Sequence, residues 1–541
     1  MNSSRICKSS FGHVRLIMAC VAIGLAGSAP AQTPESSPVD VIIAGGSLFD
    51  GGTGAPHTAD VAIAGDRIVY VGVDAAKRYR ARTVIDARGM IVAPGFIDAH
   101  THPDTYVRSD DPKERLNAPW LFQGVSTLMI GGDGGGTPDV GDEAAWFKQH
   151  AIGTNLAPYV GFGAVRKRVL NMDARAPDAE ELKRMEGLVA KGMCEGAFGF
   201  STGLFYAPQS FSKTDEVIAL AREAARRGGI YDSHIRDESS YTIGLLGAIK
   251  EAIQIGHDAG LPAHISHIKA LGVDVHGDAG KVIALIDAAR KSGQHVTADQ
   301  YPWLASGTNL QASLVPRWAV AGGRKEMLHR FDDAATLQRI KTEMRENLRR
   351  RGGSESLLLT RSGHPWTGKT LKDVAAEWRL DAVDAAVRLI RETDGVSVAS
   401  FNMDDADVRQ FMKQPWVITS SDGSNGHPRQ YATFPEKYVK YVKDEKAISL
   451  IDFIHRSTGL SAEILGLKDR GYLRKGYFAD VVVFDPARYA PKADYVHPRV
   501  LSAGVVDLLV NGQPVIGGGK LTNAAPGRLL LHTPTPGTCS K

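Results

Sequence analysis

The chain has 541 residues, 43% of them hydrophobic and 23% charged, with a formal net charge of +4. That length accommodates one large domain plus a smaller one. The small charge and the lack of long basic runs exclude nucleic acid and anionic membrane surfaces as primary partners. The basic cluster Arg349-Arg350-Arg351 is nearly alone and reads as a solvated helix end.

Residues 1–31 have the layout of a secretory signal. Arg5, Lys8 and Arg15 precede an apolar stretch over 16–26, and small residues follow, ending Ala29-Pro30-Ala31. Cleavage is expected before Gln32, with a periplasmic or secreted destination. The apolar core is too short to span a bilayer comfortably, and no other stretch reads as transmembrane. No stable membrane insertion is therefore expected after cleavage. Cys7 and Cys20 would leave with the signal. Cys194 and Cys539 are far apart and are not expected to form a disulfide framework, so the fold should rest on its core.

Short β-rich runs at 41–44, 60–64 and 67–71 predict a small antiparallel sheet. The same texture returns at 479–484 and 505–510, where Asn511-Gly512 supplies a hairpin turn. One small β domain built from both ends follows, over 32–92 and 466–541. Between them, 93–465 alternates apolar runs with charged helical stretches: 126–130 then 141–150, 197–201 then 213–227, 230–234 then 239–258, and 263–267 then 278–291. That alternation predicts a parallel α/β sheet, and eight such units would close a barrel with its chemistry at the C-terminal strand ends. Residues 308–355 break the rhythm and read as an insertion over the mouth.

The apolar run 91–99 ends in His100-Thr101-His102. Positions i and i+2 of a strand face the same way, so both imidazoles can converge on one first-row metal ion. Two more apolar runs end in a histidine with a cation two residues on, His234 with Arg236 and His267 with Lys269. His264 lies an odd interval from His267 and is expected to pack instead. Asp422 ends another β-rich run and is the candidate general base, taking a proton from the attacking water and passing it to the leaving nitrogen. Asp133, in the glycine-rich run 131–136, is a candidate bridging carboxylate.

These segments together resemble the amidohydrolase superfamily and, within it, the N-acyl-D-amino-acid deacylases (D-aminoacylases), over about 39–515. The residues that carry the likeness are the His100-Thr101-His102 signature, 196–206 (GAFGFSTGLFY), His234-Ile235-Arg236-Asp237-Glu238, 265–272 (ISHIKALG), 299–303 (DQYPW), Ser421-Asp422-Gly423 with His427-Pro428-Arg429, and 471–485. The resemblance implies a TIM-like (β/α)8 barrel beside a small β-sandwich domain formed from both ends. It implies that His100, His102 and Asp422 face one metal and that His234 and His267 hold another, with zinc the expected ion. Lys269 and Tyr206 match positions that bind the substrate carboxylate, and Arg236 and Tyr301 are further candidates for that task. The family pattern usually reads G-N-C-G where this chain has Gly131-Gly132-Asp133-Gly134, so a hard carboxylate replaces a soft thiolate. Asp133 is expected to bridge two zinc ions.

The reaction so implied is hydrolysis of a linear amide, of N-acyl-D-amino acids first, with dipeptides or other N-acyl amino acids behind. A cyclic-amide hydrolase of hydantoinase or dihydroorotase type commonly needs a bridging lysine, and none is placed for it. An inactive periplasmic metal- or ligand-binding protein would not need Asp422.

Overall fold

The computed structural model describes residues 37–424 and 426–539. The expected signal over 1–31 and its cleavage point before Gln32 lie outside the described residues. The two ends of the chain share one nine-stranded sheet. Ser37–Leu48 pairs antiparallel with His57–Ala64 and parallel with Tyr79–Asp86 and Ile91–Pro94. Ile91–Pro94 in turn pairs antiparallel with Val481–Phe484 from the far end of the sequence. Alternation drives this join. Val481 and Val483 pack with Ile43, Val61 and Leu509 inside the sheet, while Val482 and Phe484 pack with Phe96, Trp120 and Val125 of the middle segment. The turn at Asn511-Gly512 has φ of 48° and 78°, as a two-residue hairpin of this kind requires.

The middle of the chain is an α/β domain of TIM-barrel type. Phe96–Asp98, Val125–Ile130 and Asn155–Pro158 form one parallel sheet. Val160–Gly161, Gly199–Gly203, Ile230–His234, Ala263–Ile265, Val296–Gln300 and Val417–Thr419 form another. Their residues are almost all buried, as parallel strands covered by helices must be. The helices Val140–Gln149, Thr214–Arg226, Gly244–Ala259 and Ala279–Lys291 supply the cover, each presenting an apolar stripe; in Thr214–Arg226 it is Val217, Leu220, Ala221 and Ala224. The two sheets meet at both edges. Only Tyr159 separates Asn155–Pro158 from Val160–Gly161. At the other edge Thr101 bridges Gly423 in parallel, with His102 N donating to Gly423 O at 3.0 Å and Asp422 N to His100 O at 2.9 Å.

Between Val296–Gln300 and Val417–Thr419 the chain makes an excursion that runs from Ala305 to Phe401, longer than the 308–355 expected from sequence. Ala305–Asn309, Leu357–Leu359 and Ser397–Phe401 form an antiparallel sheet, packed with helices around Leu310, Leu314, Phe331, Ile340 and Leu389. Its second half has the same strand-and-helix texture as the barrel units, which disguised it. The triplet 349–351 also departs from expectation. Arg349 stays half exposed on Asp274, but Arg351 is buried, 2% exposed.

A third correction concerns the cysteines: Cys194 and Cys539 form a disulfide across 345 residues of sequence. The chain's last segment brings them together. It runs under the starts of the strands, with Leu530 N donating to Leu156 O at 2.7 Å and His532 N to Gly196 O at 2.8 Å. Among the described residues, no helix is long and apolar enough to cross a membrane.

Candidate active site

The residues singled out by their place at strand ends gather at one end of the α/β domain. His100 and His102 follow Phe96–Asp98, Asp133 follows Val125–Ile130, His234 ends Ile230–His234, His267 follows Ala263–Ile265 and Asp422 follows Val417–Thr419. Asp133 is the hub. Its Oδ1 lies 3.3 Å from His100 Nε2, 3.4 Å from His267 Nε2 and 3.5 Å from His234 Nδ1, and its Oδ2 is 3.5 Å from His102 Nε2. Asp422 Oδ1 is 3.3 Å from His102 Nε2. Asp133, His267 and Asp422 all hold positive φ, at 54°, 37° and 48°. Such strain in non-glycine residues persists where the surroundings fix it and clusters at functional sites. Gly132 is needed for a different reason: a Cβ there would lie 2.7 Å from the His100 ring.

Buried aspartates hold the backbone of these residues in place. Asp98 Oδ1 accepts from Ser421 N at 2.8 Å and its Oδ2 from Trp120 Nε1 at 2.9 Å, which orients the turn bearing Asp422. Burial pushes the Asp98 carboxyl up to about 7 against those hydrogen bonds. Asp299 accepts from His267 N at 2.8 Å and pairs with His264 Nε2 at 2.9 Å. His264 therefore packs behind the site and does not enter it.

The cluster attracts positive charge. Burial works against the charged form of Asp133, yet the imidazoles of His100 and His234 hold it well below the usual carboxylate range. Asp422, also opposed by burial, is held down by Arg429, whose Nη1 lies 2.8 Å from Asp422 Oδ2. His102 and His267 are each driven up to about 10 despite burial, His102 by Asp133 and Asp422. Both ring nitrogens of His100, and His234 Nε2, are buried without a hydrogen-bond partner among the described residues. Buried polar atoms seldom stay unpaired. Among the described residues, four sets of donor atoms converge closely enough for an ion: His100, His102 and Asp422; His100, Asp133 and His267; His234, Glu238 and His267; and, deeper behind the site, His100, Asp232 and Asp299. Neutral imidazole with carboxylate is the donor set of zinc and its neighbours, so these residues fit a divalent first-row metal.

A cavity of about 570 Å³ opens above the cluster, lined by Tyr206, Lys269 and Tyr301 among others. Lys269 Nζ lies 2.5 Å from Glu238 Oε1 and 2.8 Å from His267 Nδ1. The Tyr301 hydroxyl is buried without a partner among the described residues, and the Tyr206 hydroxyl contacts Thr308 Oγ1 at 3.4 Å. Arg236 does not join them. Its guanidinium forks onto Glu251 at 2.8–3.1 Å, on the helix behind the strand, so it is a structural ion pair and not a carboxylate receptor. Two participants had been given no role: Glu238, which braces His267 and Lys269, and Arg429, which orients Asp422. Both lie inside quoted motifs, and their carboxylate and guanidinium chemistry was the available signal.

Comparison with known proteins agrees with this geometry. A model described as the amidohydrolase family matches residues 161–516. The D-aminoacylase of Alcaligenes xylosoxydans xylosoxydans is 32% identical over 535 residues, covering 92% of this chain and 99% of that protein. The chain belongs to the amidohydrolase family and, within it, to the group of D-aminoacylases and N-acyl-D-amino-acid deacylases. Among solved structures, a D-aminoacylase described with a binuclear metal centre superposes with a TM-score of 0.77 at 30% identity, covering 91% of this chain and 100% of that one. An N-acyl-D-glutamate deacylase from Bordetella bronchiseptica, complexed with zinc and a phosphonate inhibitor, gives 0.78 at 29% identity, covering 92% and 100%.

Proposed function

We propose that this chain hydrolyses the linear amide of N-acyl-D-amino acids, with His100, His102 and Asp422 holding one zinc ion, His234 and His267 a second, and Asp133 bridging them. Bound metal supplies Lewis acidity toward the amide carbonyl and makes water acidic enough to react at neutral pH. The chain's own groups do the rest. Arg429 fixes one oxygen of Asp422, leaving the other beside His102 to accept the proton of the attacking water and return it to the departing nitrogen. Lys269, Tyr206 and Tyr301 line the cavity where the substrate carboxylate would sit, and Glu238 holds Lys269 in position. The observation that carries this reading is the convergence of four imidazoles and Asp422 around the Asp133 carboxylate at the base of the cavity.

The same reading takes the two parallel sheets as one closed (β/α)8 barrel, supported by their junctions at Tyr159 and at Thr101 with Gly423. The nine-stranded sheet is taken as a β-sandwich domain, with interior residues such as Ile43, Val61 and Val481. A periplasmic or secreted location is supported by the layout of residues 1–31 and by the disulfide, which suits an oxidising compartment.

The test is an assay of zinc-supplied protein on N-acetyl-D- and N-acetyl-L-amino acids, dipeptides and hydantoins. Free amine from the D-series is expected, with Asp422→Asn lowering turnover by at least about 10³-fold while metal content largely persists. Full activity in that variant, or turnover of hydantoins alone, would refute the reading.

A further inference from the structure

We propose that the cavity is built for an N-acyl amino acid carrying a second carboxylate, received by Arg351 and Tyr241. This rests on the deacylase reading above and narrows its substrate class. Arg351 follows the helix Ala334–Arg350 of the excursion and lines the cavity while being 2% exposed. Its Nε donates to the Ser313 carbonyl at 3.3 Å, but its Nη1 is buried with no partner among the described residues. Tyr241, which follows the strand Ile230–His234, lines the same cavity, and its hydroxyl is also buried with no partner among the described residues. The guanidinium carbon of Arg351 lies 5.8 Å from the centre of the Tyr241 ring.

The backbone holds this corner in place. Val273 N donates to Arg350 O at 3.1 Å, pinning the helix end to the loop that carries His267 and Lys269. Gly272, at φ 93°, permits the approach, since a Cβ there would lie 2.2 Å from Arg350 O. Arg351 is thus positioned by the same loop as the candidate metal ligand His267.

Charge balance then points to the missing partner. The buried arginines Arg166, Arg429 and Arg470 pair with Glu216, Asp422 and Asp480. Arg115, which has no carboxylate, instead donates to the carbonyls of Ala151, Ser109 and Asp110. Arg351 forms no ion pair with any described residue. Its neighbour Arg317 forms none either: it donates Nε to the Phe205 carbonyl, stacks 4.1 Å from the Phe205 ring, and leaves Nη2 unpartnered. Lys269 is already matched by Glu238. Even with the buried Asp237 carboxylate, which acts on Arg317, set against these two guanidiniums, one positive charge is left over on the excursion side of the cavity. Stacking on aromatic faces stabilises a guanidinium but leaves its N–H edge unsatisfied. A planar fork beside a phenol hydroxyl is suited to a carboxylate, and a buried cation without one is costly.

The second carboxylate can come from the amino-acid side chain or from the acyl group, and two matched substrate pairs separate these. One is N-acetyl-D-glutamate against N-acetyl-D-glutamine; the other is N-succinyl-D-alanine against N-butyryl-D-alanine. At least one charged member should exceed its neutral partner in kcat/KM by on the order of 10- to 100-fold, mainly through KM. In Arg351→Met that ratio should fall toward one. If Arg351→Met does not fold, Tyr241→Phe should lower the same ratio by several-fold. Neutral substrates turned over as well as charged ones by the unaltered protein would overturn the proposal and leave the deacylase reading standing. A charge preference unchanged in Arg351→Met, or in Tyr241→Phe where the first does not fold, would also overturn it. Failure on every N-acyl-D-amino acid would remove the deacylase reading and this proposal with it.

Discussion

The two ends of the α/β domain are built on opposite principles. At the C-terminal ends of the strands, His100 and His234 leave buried nitrogens unpaired, and Asp133, His267 and Asp422 hold left-handed backbone. At the other end, residues 527–535 are laced to the strand starts by regular backbone hydrogen bonds, and a disulfide ties Cys539 to Cys194. One end stores unsatisfied chemistry and the other satisfies nearly everything it presents. Stability and activity should therefore respond separately to substitution at the two ends.

The largest separation is expected from Asp133. Asp133→Ala removes the carboxylate around which four imidazoles gather. We expect two metal ions per purified chain to fall to one or fewer, and turnover to drop by at least about 100-fold. Thermal stability measured with chelator present should fall less than activity, because buried imidazoles left without their counter-charge can shed protons and stay as neutral rings. Elemental analysis showing one ion per chain, the same in parent and variant, would eliminate the bridge.

The reverse outcome is expected at the closed end. Cys539→Ser releases the tail from the end of the helix Ala179–Cys194. A link across 345 residues restricts the unfolded chain strongly, by about 6 kcal/mol of loop-closure entropy. Differential scanning calorimetry should show a lower Tm, reproduced in the parent protein by a phosphine reductant. kcat/KM at 25 °C should stay within about twofold, because the substitution is at the end of the strands opposite the cavity. A loss of activity without a loss of Tm would mean the two ends are coupled.

The same contrast explains which parts of the site were legible in the sequence. His100 and His102 stood out because two-residue spacing at the end of an apolar strand has one geometric meaning. Arg236 was misread because it follows His234 by the interval at which Lys269 follows His267. The strand ends break that equivalence: His234 is the last residue of its strand, whereas His267 lies two beyond Ile265 with a positive φ that redirects the chain. Glu238 and Arg429 were visible but unassigned: Glu238 reaches the site from a loop whose path no periodicity describes, and Arg429 from the first residue of the helix Arg429–Glu436, whose entry point no periodicity places. The α/β alternation and the sheet from both ends follow from local pattern. The disulfide does not, because its partners meet only after the whole domain is assembled. Arg351 was hidden for a similar reason: three arginines in a row read as solvated until a separate loop packs over the last of them.

The smallest effect, and the finest probe of the contrast, concerns the wall between the two ends. Lys437 is fully buried, and its Nζ donates to Thr419 Oγ1 at 2.9 Å, at the end of the strand leading to Asp422. Burial, reinforced by Arg456, lowers its ammonium from 10.5 to about 7. Between these values the unfolded chain keeps a proton that the folded chain has lost. Unfolding thus takes up a proton, and stability rises with pH from about 7 toward 10.5 through this group; below 7 the cost of the buried charge is met in full. Lys437→Met abolishes that dependence. Relative to the parent, the variant should be stabilised at pH 6.5, and the advantage should shrink by about 2 kcal/mol by pH 9. Urea unfolding of both proteins at the two pH values measures it. A difference independent of pH would mean that Lys437 keeps its proton in the fold, and that unmatched charge is tolerated in the wall as well as at the mouth.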